Sequence, residues 1–148
     1  MSNKRVMTED HEDQDLIALL RARGQRVTSQ RLVILRELRR RRVHATAEEL
    51  LETVRDTLPG TSIPTVYATL ELFVELGLVR KIDVGIGASL YDARTDSHQH
   101  MVCRRCARVS DLDGESDVGA MMDAAAESGF QPESAELVIH GLCAQCAC

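Results

Sequence analysis

The stretch SIPTVYATLELFVELG at residues 62–77, followed by LVRKIDVGIGASLYD at 78–92, decides the reading of the fold. Ser62 is a good N-cap residue, because its hydroxyl can accept from a backbone N–H of the first helical turn. Val66, Leu70, Phe73 and Val74 then recur at helical spacing. Gly77 supplies the left-handed residue at which such a helix stops, so a helix is predicted through Leu76. Beyond it the period changes from helical to alternating. Residues 78–84 and 89–92 are strand candidates, joined by Gly85-Ile86-Gly87, a hairpin signature.

Upstream, the same logic predicts three more helices. Thr28 caps a helix over Ser29–Arg41, whose apolar positions are Leu32, Val33, Leu35 and Leu38. Thr46-Ala-Glu-Glu49 is a capping box, in which the Thr and the Glu three residues later satisfy each other's backbone N–H groups. The helix it opens carries Ala47, Leu50, Leu51 and Val54 on one face and ends by Pro59-Gly60. Asp15 is expected to cap a short helix over 16–23 that stops at Gly24. Residues 1–15 are polar and aperiodic and read as a mobile tail. Helices followed by a β-hairpin are the order of a winged helix-turn-helix, with the helix before the hairpin as the recognition helix. The predicted organisation is therefore a tail over 1–15, a winged-helix DNA-binding domain over 16–92 and a small α/β domain over 93–148. The fold class is α+β.

The second domain is predicted to hold strands over 100–105 and 108–112, a helix capped by Ser116 and stopped by Gly129, and a last strand over 136–142. Its apolar content is thin, which makes another copy of itself the expected partner. The net charge of −5 is unevenly spread. Residues 16–92 carry 12 Lys and Arg against 9 Asp and Glu, while residues 93–148 carry 4 against 9. The basic excess in the first half permits contact with phosphates. No apolar run is long enough to cross a bilayer. No basic segment followed by an apolar stretch opens the chain, so a cytoplasmic protein is expected.

Four of the five cysteines form two Cys-x-x-Cys pairs, Cys103/Cys106 and Cys143/Cys146, with 36 residues between them. A two-residue gap lets both thiolates of a tight turn face one Zn²⁺, and two such turns complete a closed tetrahedral site. The alternatives are two disulfides or unconnected buried thiols, and a reducing compartment disfavours the disulfides. Cys148 is left over, with no role assigned. His98 and His100 flank Gln99, and residues two apart on a strand share a face, so both imidazoles could reach one metal. By itself His-x-His is more often a plain surface pair. His44 reads as a loop residue, His11 as a tail residue and His140 as a packed core residue.

Taken in order, GQRVTSQR at 24–31, HATAEEL at 44–50, Thr65-Val-Tyr67 and HQHMVCRRC at 98–106 resemble the ferric uptake regulator family of bacterial metal-dependent repressors. The resemblance covers nearly the whole chain. It implies a homodimer, a structural zinc on the four paired cysteines and a regulatory metal site made of His44, Asp92, His98, His100 and Asp111. It also implies DNA contacts by Tyr67 at the recognition helix, by Arg26 near the minor groove and, more weakly, by Arg31. The expected DNA is a palindromic operator. Asp at both 92 and 111 is similar to the peroxide-sensing branch, where iron sensors carry Glu. Ser97, Gln99 and Ala135 stand where iron sensors have further ligands, Ala93 where zinc sensors have Cys, and Lys81 and Asp83 where nickel sensors have His. Ala68 stands where relatives often have Arg or Asn.

Three imidazoles and two carboxylates are N/O donors that suit Fe²⁺ or Mn²⁺. Five protein ligands leave one octahedral position open to peroxide. The family resemblance implies iron-catalysed oxidation of His44 or His98, with Mn²⁺ holding the DNA-binding shape without that chemistry. An iron- or manganese-uptake regulator indifferent to peroxide is the alternative. An enzyme is disfavoured, because the chain lacks His-Glu-x-x-His, a nucleophile elbow, a phosphate-binding Gly loop and the zinc-deaminase signature. A zinc-ribbon scaffold would leave the winged helix without a use.

Overall fold

The computed structural model describes residues 3–41, 44–85, 87–96, 98–114 and 117–148. The chain divides into two compact units, Met1–Ile82 with Ala88–Thr95, and Asp83–Gly87 with Asp96–Cys148.

The first unit holds α1 (Asn3–Ala22), α2 (Ser29–Arg41), α3 (Ala47–Val54), α4 (Ile63–Glu75), β1 (Arg80–Ile82) and β2 (Leu90–Asp92). The capping box forms as expected: Thr46 Oγ1 accepts from Glu49 N at 3.2 Å and Glu49 Oε2 accepts from Thr46 N at 2.9 Å. Ser62 caps α4 by accepting from Thr65 N, with Pro64 in the first turn, where its missing N–H costs nothing. Gly77 adopts φ +72° and ends that helix. The hairpin is antiparallel, with Arg80 opposite Asp92 and Ile82 opposite Leu90. Gly85 and Gly87 are both left-handed, and Ile86 lies outside the described residues. The strands are shorter than predicted. A bridge from Ala45 to Tyr91 adds a third chain segment beside the two strands of the hairpin. This is a winged helix, with α3 and α4 as the helix-turn-helix and β1–β2 as the wing.

One apolar core holds the unit together. Leu16 and Leu20 of α1, Ile34, Leu35 and Leu38 of α2, Leu50 and Val54 of α3, and Val66, Leu70 and Phe73 of α4 are buried in one cluster. Tyr91 joins them from β2. The low aromatic content therefore concentrates its volume at two central points, Phe73 and Tyr91.

The start of α1 corrects the expected tail. The helix runs from Asn3, not from Asp15. Helical patterning could not reveal this, because the partners are distant in sequence: Asp13 pairs with Arg36 and Glu12 with Arg39, both on α2. The same pairs occupy two arginines of the basic α2 surface. Arg42, the end of the run 39–42, lies outside the described residues.

The second unit holds β3 (Gln99–Cys103), β4 (Val109–Leu112), α5 (Val118–Glu127) and β5 (Val138–Gly141). Its sheet has the order β4-β3-β5, antiparallel between β3 and β4 and parallel between β3 and β5. Asp117 caps α5 by accepting from Ala120 N, and the expected cap Ser116 lies outside the described residues. No residue of α5 is buried, and Met121 and Phe130 are 72 % and 66 % exposed. His140 on β5 is exposed, which corrects its expected place in a core: β5 is an edge strand of a three-stranded sheet. Among the described residues, no helix is long and apolar enough to cross a membrane.

Candidate metal centres and nucleic-acid face

The four paired cysteines come together in the second unit. β3 ends at Cys103 and the chain turns at once, with Ala107 N donating to Cys103 O at 2.9 Å. The second knuckle repeats the geometry, with Ala147 N donating to Cys143 O at 2.9 Å. One sulfur from each of the four lies within 4.8 Å of every other. Cys106 Sγ and Cys143 Sγ are 3.8 Å apart. A disulfide needs about 2.05 Å, whereas a tetrahedron with 2.3 Å arms has an edge of about 3.8 Å. The geometry thus fits one zinc and excludes a disulfide between these two.

The electrostatics agree. Cys143 N donates to Cys103 Sγ at 3.3 Å, and that bond heads the causes that hold the Cys103 thiol down to about 6. Cys146 is pushed up to about 12, chiefly by the Cys143 sulfur beside it. Some negative charge is prepared in advance, while full ionisation of all four sulfurs needs a cation among them. Two arginines tie the knuckles together: Arg105 Nη1 donates to Cys146 O and Arg108 Nη2 to Gln145 Oε1, each at 2.9 Å.

Ala107, just past the first knuckle, adopts φ +58°, the only non-glycine left-handed residue among those described. That conformation costs an L-residue roughly 1–2 kcal/mol, and glycine returns part of the gain as extra freedom when unfolded. Ala107→Gly is expected to stabilise the zinc-loaded second unit by up to about 1 kcal/mol, read as a higher thermal midpoint. A lower midpoint would contradict this account of the turn.

The second unit also gathers three of the regulatory candidates. His98 Nε2 lies 3.1 Å from His100 Nε2 and 3.6 Å from Asp111 Oδ1. The register explains the third member, since β4 places Asp111 directly opposite His100. Asp96 O lies 2.9 Å from His98 Nδ1. A carbonyl can only accept, so Nδ1 carries a proton, and Nε2, which faces His100 and Asp111, is the ring nitrogen placed to meet a metal. Such a bond is the usual way a protein fixes the tautomer of a metal-binding imidazole. Both imidazoles are buried.

The first unit supplies the other two. Ala45 and Tyr91 exchange backbone hydrogen bonds of 3.1 and 2.8 Å. In an antiparallel pair the flanking residues are then also opposite, which sets His44 against Asp92. His44 Nε2 is 3.4 Å from Asp92 Oδ2, and Asp92 Oδ1 accepts from Arg94 N at 2.8 Å. In both units the donors are nitrogen and oxygen only, a set that fits Fe²⁺ or Mn²⁺.

The DNA candidates separate into two places on the winged helix. Arg26 and Arg31 line a concavity of about 460 Å³ with Thr28, Pro64, Thr65 and Ala68, at the start of α4. Arg31 Nη1 donates to Arg26 O, so the two arginines are organised as one group. Tyr67 lies outside this concavity. Its hydroxyl donates to Glu48 Oε1 at 3.1 Å, and that bond raises the phenol above its usual range. The sequence reading did not single out Glu48, nor the cluster at Glu71 on the next turn of α4. There Glu71 Oε1 accepts from both Lys81 Nζ at 2.7 Å and Tyr91 Oη at 2.8 Å. The spacing of Tyr67 and Glu71, four apart on one helix, is the only sequence signal that could have marked them.

A winged helix carried in one chain with a four-cysteine knuckle pair and imidazole–carboxylate groups is the build of a metal-responsive regulator. The ferric uptake regulator family model matches residues 22–140, and the chain belongs to that family. It is 31% identical to the peroxide-responsive repressor PerR of Staphylococcus epidermidis, over 93% of this chain and 91% of that protein. The fold matches the ferric uptake regulator of Helicobacter pylori with a TM-score of 0.80 at 18% identity, covering 94% of this chain and 93% of that one. A zinc uptake regulator complexed with zinc and DNA matches with a TM-score of 0.67 at 29% identity, covering 95% of each chain.

Proposed function

We propose that this protein is a homodimeric, metal-dependent transcriptional repressor that responds to peroxide through oxidation of His44 or His98. Cys103, Cys106, Cys143 and Cys146 hold a structural Zn²⁺. His44, Asp92, His98, His100 and Asp111 are the ligands of a regulatory Fe²⁺ or Mn²⁺. The observation that carries the reading is the His98 ring, whose tautomer is set by Asp96 O so that Nε2 faces His100 and Asp111. The Asp residues at 92 and 111 and the peroxide-responsive relative support the peroxide branch.

Fe²⁺ held by these residues would supply a redox couple beside an imidazole C–H bond, with peroxide as the oxidant and the ring as the net two-electron reductant. In net terms one peroxide oxygen enters that bond and the other leaves as water. The protein's part is to hold the ring fixed against reorientation, which the Asp96 carbonyl does for His98. The oxidised ring is a poorer ligand, and metal-dependent DNA binding is lost with it.

Met101, Leu137, Ile139 and Leu142 are 38–52 % exposed on or beside the second unit's sheet. Met101, Ile139 and Leu142 also line an apolar concavity of about 400 Å³. A second copy of the chain is the partner proposed for this face, and two recognition helices in a dimer reach two half-sites of a palindrome. Tyr67 is proposed to meet a thymine methyl, with Arg26 and Arg31 on the backbone and the adjoining minor groove.

Selection from a pool of random DNA duplexes with the Mn²⁺-loaded protein tests this reading. Inverted repeats are expected, with binding that falls on chelation and weakens steeply with salt. Peroxide should release the enriched duplex from the Fe²⁺-loaded protein and leave the Mn²⁺-loaded complex intact. Metal-dependent binding that ignores peroxide would identify an iron- or manganese-uptake regulator in its place.

A further inference from the structure

We propose that Tyr91 is a positioning residue that carries the state of the His44–Asp92 pair to the recognition helix α4. The inference rests on the reading of His44 and Asp92 as metal ligands. Tyr91 is fully buried in the core of the winged helix. Its backbone is bonded in both directions to Ala45, which places its two chain contacts, Asp92 on one side and His44 across the bridge, at the ligand pair. Its hydroxyl leaves that bridge behind and donates to Glu71 Oε1, on the second turn of α4 counted from Tyr67. The same carboxylate oxygen accepts from Lys81, and Lys81 is paired with Tyr91 across the wing hairpin. Lys81 Nζ also sits 5.9 Å from the centroid of the Tyr91 ring.

A phenylalanine would fill the same core space, so packing does not call for the hydroxyl. Burying a hydroxyl carries a cost that only a made hydrogen bond offsets. Here the bond is made to the helix that reads DNA. The ring is rigid and closely packed, so a shift of the strand at Asp92 or of the rung at Ala45 moves the hydroxyl with it. Because hydrogen bonds weaken steeply with misalignment, Glu71 and the turn of α4 that carries Tyr67 respond to that shift. Lys81 extends the link to the wing. All these residues belong to the first unit, and the path runs from the ligand pair through the Ala45–Tyr91 backbone rung to the Tyr91 side chain, and from its hydroxyl to Glu71 and Lys81.

Amide hydrogen exchange over α4 in the full-length protein, with Mn²⁺ as the probe, tests the link without any DNA. Bound Mn²⁺ is counted in parallel from the paramagnetic resonance of the free ion. In the native protein, Mn²⁺ is expected to slow exchange over Ile63–Glu75 by about 3- to 30-fold, the range of a side-chain coupling. Tyr91→Phe should still take up Mn²⁺, yet the slowing over α4 should fall below about twofold. Glu71→Ala should behave like Tyr91→Phe, while Glu71→Gln, which keeps an oxygen acceptor, should retain most of the native response. Tyr91→Phe with the native ratio of exchange rates would overturn the proposal, even if α4 exchanged faster in both states, since that is a loss of packing alone. Native protein that binds Mn²⁺ with no change over α4 would overturn it as well. Failure to bind Mn²⁺ shows in the resonance count, and would overturn the ligand reading and the link together.

Discussion

Removing zinc from the purified protein is expected to unfold the second unit while leaving the helices of the first in place. The two units differ sharply in what holds them. The first has an apolar cluster contributed by four helices and the wing. In the second, the buried apolar residues among those described are Val84, Val102 and Cys103, and none lies on α5. Such a unit cannot offset its chain entropy by burial alone. A structural zinc supplies on the order of 10 kcal/mol of apparent folding free energy at neutral pH, more than the stability of many whole domains. Chelation should therefore abolish exchange protection over β3 and β5, with α2, α3 and α4 retained. The cysteine variants sharpen the test, because Cys103 is buried and Cys106 is exposed. If burial were what counted, only Cys103→Ser would be damaging. A shared metal predicts that Cys103→Ser and Cys106→Ser unfold the unit equally. Full protection after chelation would contradict the zinc assignment.

The second large effect concerns the histidines. Replacing His98 or His100 by Ala is expected to weaken Mn²⁺ binding by more than about 100-fold, since loss of a residue that merely orients a ligand already costs 10- to 100-fold. Loss of metal-dependent DNA binding should accompany it. His11→Ala, on the exposed face of α1, should leave both unchanged. The measurement is a Mn²⁺ titration followed by the resonance of the free ion. Because imidazoles bind metal as neutral rings, affinity should also fall as pH drops and protons compete. A His98→Ala protein with native Mn²⁺ affinity would remove that residue from the ligand set.

The parts of the fold that depend on neighbours in sequence were legible. The Thr46 box, the Ser62 cap and the Gly77 stop act within one helical turn, and each forms where the residue types place it. The two cysteine turns and the shared face of His98 and His100 likewise follow from two-residue spacings. The features that escaped depend on distant partners. The early start of α1 is supported by Arg36 and Arg39 of α2, more than twenty residues on. The exposure of His140 follows from its strand lying at a sheet edge, which alternation of apolar residues does not reveal. The Tyr91–Glu71 bond spans twenty positions and joins residues that separately look like ordinary core and surface. Asp111 was reached only through family resemblance, and the register of β3 and β4 supplies its physical reason.

Peptide mass spectrometry after a brief, low dose of peroxide tests the central claim most directly. The protein is loaded without oxygen with Fe²⁺ in one sample and Mn²⁺ in the other. The account predicts one added oxygen atom on the peptide carrying His44 or on that carrying His98, in the iron sample only, in step with loss of DNA binding. Unmodified histidines in both samples, with DNA binding still dependent on metal, would contradict peroxide sensing and leave a repressor that reads metal alone.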